Sequence, residues 1–201
     1  MESHPLFQSN GELILASNSP RRRDMLSSLG LQFSICPADI DEQLRPGEQP
    51  AIYARRLALS KARRISSQHR EATVIGADTV VVQDGRIHGK PGNDAAALHT
   101  LRQLQGRRHQ VITAVAVIHC NKKVETVFDS TTEVVFGAFD DNILSAYIRT
   151  GEPADKAGSY GIQGIGAFLV TSITGSYSNV VGLPLDRLLT TLIKYKLISP
   201  G

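Results

Sequence analysis

Between Thr73 and Val82 apolar residues occupy both alternating sets of positions, the pattern of a β-strand covered on two sides. Val74, Gly76, Val80 and Val82 fall on one face, and Ile75, Ala77 and Val81 on the other. Asp78 sits in the middle of the first face. A carboxylate buried there without a partner would cost several kcal/mol or be forced to take up a proton. It therefore needs a cation, a metal or a catalytic use, the plainest case being a structural pair with one Arg or Lys.

The elements around this strand follow from the same reading. Glu12–Ser17 predicts a short strand that turns through Asn18-Ser-Pro20 into a helix from Arg21 to Leu29, closed by Gly30. Leu31–Cys36 predicts a second strand, followed by an acidic loop through Gly47. Pro50–Ser67 carries Ile52, Leu57, Ala58, Ala62 and Ile65 near helical spacing. Asp84-Gly85 predicts a tight turn, with Arg86–His88 returning. Asn93 or Asp94 caps a helix striped by Ala97, Leu98, Leu101 and Leu104 and ended by Gly106.

Two long strands, Gln110–Cys120 and Val124–Phe136, are joined at Asn121-Lys122, and the second alternates as a half-exposed sheet does. Asp140 or Asp141 caps a short helix ending at Gly151. Ala167–Ile173 predicts another strand. Pro184 starts a last helix with Leu185, Leu188, Leu189, Leu192 and Ile193 inward. Alternating strands and helices followed by adjacent strands imply an α/β fold, a mixed twisted sheet flanked by helices. Neither a repeat nor a linker divides the chain, so residues 1–201 read as one domain with a short tail at 1–11.

Composition changes this picture little. The chain of 201 residues is 41% hydrophobic and 20% charged, outside the disordered range. No apolar run approaches the roughly 18 residues of a membrane span, and the N-terminus lacks signal-peptide order. Cys36 and Cys120 are too few for a disulfide framework and are expected to be buried thiols. A cytoplasmic protein with no membrane partner is the expectation. A net charge of +3 does not mark a nucleic-acid binder, and none is expected as partner. Arg55-Arg56 and Arg63-Arg64 are expected to be solvated helix faces.

Candidate chemistry gathers at three places besides Asp78. The turn Ser17-Asn-Ser-Pro-Arg-Arg-Arg23 combines a helix N-terminus, two hydroxyls and planar guanidinium forks, which together suit a phosphate. Asp155–Gly164 is glycine-rich, so backbone can approach a ligand, with Gln163 able to pair with a base edge and Lys156 to neutralise phosphate. Gly175–Pro184 is a second Gly/Ser loop leading into a helix, another candidate anion contact. Lys61 on its helix reads as solvent-facing from spacing alone. The six histidines form no metal motif; a metal would be held by Asp78 with a loop carboxylate such as Glu42, and such oxygens suit Mg²⁺ or Mn²⁺.

Taken together, Ser17-x-Ser-Pro-Arg-Arg22, Gly76-Ala-Asp-Thr79, Lys90-Pro91, Asp155-Lys-Ala-Gly158, Tyr160-Gly-Ile-Gln-Gly164 and Asn179-Val-Val-Gly-Leu-Pro184 resemble the Maf family, in order, from about Leu13 to Leu197. The resemblance implies a Maf/ITPase-like fold of two lobes around a cleft. It also implies a nucleoside triphosphate pyrophosphatase, historically linked to septum formation. Tyr160–Gly164 and the Gly175 loop resemble the branch acting on dTTP and UTP; the branch acting on 7-methyl-GTP typically carries Glu in place of Gln163. By correspondence, Asp78 is the proton acceptor. Arg22, Thr79 and Gln163 are positions of substrate choice, and Ser17, Arg21, Glu42, Lys61 and Lys90 the remaining polar positions. A homodimer is implied as well. The alternatives are the same chemistry on modified nucleotides or 7-methyl-GTP, or a non-catalytic nucleotide- or nucleic-acid-binding regulator of division.

Overall fold

The structure is a computed structural model and describes residues 5–201. In chain order it begins with β1 (Phe7–Ser9), β2 (Leu13–Leu15), α1 (Pro20–Ser27), β3 (Ser34–Ile35) and α2 (Pro50–Ser66). There follow β4 (Thr73–Gln83), β5 (Arg86–His88), α3 (Asp94–Leu104), β6 (Arg108–His119), β7 (Val124–Phe136) and α4 (Asp141–Arg149). Three short 3-10 stretches lead to β8 (Val170–Thr174), α5 (Tyr177–Val181), α6 (Leu185–Lys194) and β9 (Ile198–Pro200). The mixed α/β expectation is met: the main sheet runs β3-β2-β4-β6-β7-β8, with β5 paired to β4. β2 is parallel to β3 and β4, while β5 and β8 are antiparallel to their neighbours.

The chain forms two compact units. One comprises residues up to Asp78, Ala114–Asp129 and Gly182–Gly201; the other comprises Thr79–Thr113 and Ser130–Val181. In the first unit, Leu13, Leu15, Ile75 and Ala77 pack with Leu26 of α1 and Leu188 and Leu192 of α6. A helix as short as α6 is marginal alone, and burying those two leucines contributes on the order of 2 kcal/mol each. The opposite face of β4 meets α2. A Cβ added to Gly76 would lie 2.4 Å from the Ala58 carbonyl and 2.8 Å from the Ala62 amide. Only glycine admits so close a helix, and small Ala58 and Ala62 complete the fit. Asp78 shares this face, two residues on, so the approach brings Lys61 of α2 onto it.

The second unit has its own core of Val81, Leu101, Leu104, Val134, Phe136, Leu144, Tyr147 and Leu169. Asp84 (φ 51°) and Gly85 (φ 75°) are both left-handed, as a two-residue hairpin of the I′ type requires. Asn93 caps α3 by accepting from the Ala96 amide at 2.8 Å, and Asp140 caps α4.

Several expectations are corrected. The first four residues of the supposed tail lie outside the described residues, but Phe7–Ser9 is not tail: it pairs antiparallel with Ile198–Pro200. The strand expected over Leu31–Cys36 is only Ser34–Ile35, both exposed, because it forms the sheet edge. The strand expected from Ala167 begins at Val170, since Gly164–Leu169 coils into a 3-10 stretch. Ile52 lies about 200° around α2 from Ala54, and Ile193 about 100° past Leu192, so both are exposed. Cys36 and Cys120 are half-buried rather than buried.

Candidate functional site

Five of the residues singled out by sequence meet in the first unit. Asp78 is 9% exposed, and its Oδ1 accepts from Lys61 Nζ at 2.8 Å. The same Nζ lies 2.7 Å from Glu42 Oε1, so one ammonium joins two carboxylates. Lys61 is thus an inward-turned cation and not the solvent-facing lysine that spacing alone implied. Burial raises the Asp78 pKa above the ordinary 3.8, partly opposed by Lys61 and then Arg22, with Glu42 adding to the rise.

Glu42 reaches this point because α2 holds its loop. Tyr53 Oη donates to the Glu42 carbonyl at 2.8 Å. Arg56 grips Glu48 through two bonds of 2.6 and 2.7 Å and donates to the Gln43 carbonyl at 2.9 Å. That grip holds the Glu48 pKa down at about 2. Arg56 is therefore a loop anchor, contrary to the solvated-face expectation. Arg55 and Arg63 are also paired, with Asp129 and Glu125, while Arg63 and Arg64 keep the exposed face expected of them.

Arg22 is buried beneath the phosphate-like turn. Its Nε donates to the Gly182 carbonyl at 2.8 Å, and its Nη1 to Ser17 Oγ and the Ala77 carbonyl, each at 3.0 Å. Burial, partly offset by Asp78, lowers its pKa to about 10. The guanidinium braces the end of β2 against the residue preceding Asp78. Ser17 Oγ accepts from Arg22 and from the Ser19 amide at 3.2 Å, which leaves its O–H to donate elsewhere. No side-chain oxygen caps α1, and Arg21 is half-buried in its first turn.

The remaining candidates lie in the second unit. Thr79 Oγ1 is 2.9 Å from Thr113 Oγ1. Lys90 is exposed beyond β5, where Gly158 N donates to the Gly89 carbonyl at 3.1 Å. Gln163 is exposed in the glycine-rich loop, with no side-chain hydrogen bond among the described residues. That loop is held by two side chains which sequence reasoning missed. Glu152 accepts from Tyr147 Oη (2.9 Å), Ile165 N (2.8 Å) and Gly166 N (2.9 Å), and Tyr147 Oη in turn accepts from Gly161 N (3.1 Å). Both ends of the Gln163 turn are pinned this way. Lys156, expected to neutralise phosphate, instead donates to the Glu152 carbonyl at 2.6 Å and to Asp155 at 2.8 Å.

Tyr147→Phe should cost about 1–2 kcal/mol in urea unfolding, because it leaves the buried Gly161 N–H unpaired. An unchanged denaturation midpoint would remove the hydroxyl from its anchoring role.

The Gly175 loop is anchored at its far end by a buried side chain, while Gly175 and Tyr177 stay exposed. Asn179 is fully buried; its Nδ2 donates to the Val111 carbonyl and to Thr132 Oγ1, each at 2.9 Å. The motif Asn179-Val-Val-Gly-Leu-Pro184 marked this residue in the sequence, but not its buried role.

Among the described residues no group of three or more His, Cys, Asp or Glu side chains gathers as a metal site. Asp78 and Glu42 nonetheless fit a hard cation: two carboxylates already converge on one positive charge, and a substrate's phosphates would supply further oxygens. No described helix is long and apolar enough to cross a membrane.

A buried carboxylate paired with an ammonium, near a buried guanidinium, thus sits on a mixed α/β sheet. Residues 12–195 match the family described as Maf-like protein, and the chain belongs to that family. It is 47% identical over 194 residues to a dTTP/UTP pyrophosphatase of Desulfotalea psychrophila, covering 96% of this chain and all of that protein. It is 50% identical over 174 residues to one of Moorella thermoacetica, covering 87% and 90%. Among solved structures it resembles the Ham1 protein of Staphylococcus aureus, with a TM-score of 0.53 over 92% of this chain and 99% of that one; at 15% identity the likeness is one of fold.

Proposed function

We propose that this chain hydrolyses dTTP and UTP to the nucleoside monophosphate and pyrophosphate. The observation that carries the reading is Asp78, buried, raised in pKa and held by Lys61. The similarity to dTTP/UTP pyrophosphatases along nearly the whole chain supports the substrate. Water attacks the α-phosphorus, Asp78 takes its proton, and the bond from that phosphorus to the bridging oxygen breaks to release pyrophosphate. Lys61, Arg21 and Lys90 neutralise the phosphates and the charge growing on the leaving group. Ser17 donates its hydroxyl to one phosphate. Arg22 acts by fixing the Ser17 turn, and Gln163, with Thr79, reads the base. A Mg²⁺ or Mn²⁺ held by Asp78 and Glu42 would supply charge neutralisation and a more acidic water.

The pH dependence follows from the sign of the Asp78 shift. Only the ionised form accepts a proton, so turnover rises with pH through a limb displaced above 3.8. Stability moves the opposite way. Between 3.8 and the raised pKa the folded chain keeps a proton that the unfolded chain has released, so the contribution of Asp78 to stability falls as pH rises through that window. A limb at or below 3.8 in a kcat/KM profile, which reports the free protein, would contradict the assignment.

The reading is tested by pyrophosphate release from dTTP, UTP, CTP, ATP, GTP and 7-methyl-GTP with Mg²⁺ or Mn²⁺. Turnover centred on dTTP and UTP is expected. Turnover centred on 7-methyl-GTP would overturn the base assignment, and none at all would favour the binding regulator.

A further inference from the structure

The hydroxyl of Thr79 has its proton direction set by residues behind it. Thr113 is fully buried, and its Oγ1 donates to the Asn179 carbonyl at 2.9 Å. Asn179 is held to that place by four further bonds. Its Oδ1 accepts from the Thr113 amide at 3.2 Å, its Nδ2 is spent on Val111 and Thr132, and its own amide donates to Ser176 Oγ at 3.3 Å. A threonine hydroxyl has one proton. Since Thr113 has given its own to Asn179, the 2.9 Å contact between Thr79 and Thr113 can be made only with Thr79 as donor. Whatever else the Thr79 oxygen accepts, it cannot donate to a ligand.

We infer that Thr113, fixed by Asn179, is a positioning residue that makes Thr79 an obligatory acceptor for the imide N3–H of uracil and thymine. Cytosine presents a bare N3 lone pair at the same edge and meets an oxygen that has no proton to offer. The inference deepens the pyrimidine assignment above and rests on it. It adds the physical basis for separating an imide base from an aminopyrimidine of the same size. A site built with a committed hydrogen-bond polarity rejects the wrong polarity far better than it rejects a missing methyl group.

The test is the ratio of kcat/KM for UTP to that for CTP, measured on the whole protein. Thr113→Val keeps the shape, removes the acceptor and frees the Thr79 proton to turn outward. The UTP:CTP ratio should fall about tenfold or more, one hydrogen bond's worth, mostly by improved CTP turnover. Thr113→Ser restores the hydroxyl and should restore the ratio. An unchanged ratio in folded Thr113→Val overturns the inference, as does a loss equal for both nucleotides, which is a purely structural effect. If Thr113→Val does not fold, Thr79→Val and Thr79→Ser decide: the ratio should collapse in the first and persist in the second, and an unaltered ratio in Thr79→Val overturns the inference. Failure of the wild type to release pyrophosphate from UTP is a different result, which removes the functional reading itself.

Discussion

Asp78→Asn is expected to lower kcat for UTP by about 10²–10⁴-fold, the usual contribution of a positioned general base. Nucleotide binding should be largely retained. The expected stability change is small, under about 1 kcal/mol in either direction, and the reason lies in the geometry. Removing one partner of a buried ion pair usually costs about 3–5 kcal/mol, because the other charge is orphaned. Here Lys61 keeps Glu42 at 2.7 Å, and the lost carboxylate is one whose burial already disfavours its charge. A structural Asp would show the reverse: a clear drop in stability with turnover intact. Chemical denaturation and steady-state kinetics on one preparation separate the two.

Gln163→Glu should lower kcat/KM for dTTP and UTP by about 10–100-fold, one or two hydrogen bonds' worth, relative to a guanine nucleotide. A carboxamide can donate an N–H to a pyrimidine carbonyl oxygen, whereas a carboxylate has no proton to give and only accepts. It would set negative charge against O4 or O2. The backbone should not move, because Glu152 and Tyr147 hold the turn by its own amides and leave the Gln163 side chain outside the network. An unaltered nucleotide preference would break the base-reading assignment.

The sequence made the regular elements legible where a long apolar pattern recurs. β4, α2 and α3 appear within a residue or two of their expected bounds, and the burial of Asp78 followed from alternation alone. What pattern could not supply is pairing at long range. β1 and β9 are three residues each and meet across the full length of the chain, so neither carries a signal by itself. The partner of Asp78 was equally hidden. Spacing placed Lys61 on a helix surface, and only the close packing of α2 over Gly76 turns that surface inward. The local pattern marks Arg22 as a phosphate fork, since its carbonyl partners, Ala77 and Gly182, come from distant segments. The glycines of the Gln163 loop were visible, but the carboxylate and phenol that pin it belong to the preceding helix and turn.

Attack of water on the α-phosphorus under the control of Asp78 is tested most directly by turnover of UTP in ¹⁸O-labelled water, with mass analysis of both products for the wild type and Asp78→Asn. The label is expected in UMP and not in pyrophosphate, with loss of labelled UMP in the variant. Label in pyrophosphate, or in UDP's partner phosphate, would place the attack at another phosphorus; wild-type labelling in Asp78→Asn would remove Asp78 from the chemistry.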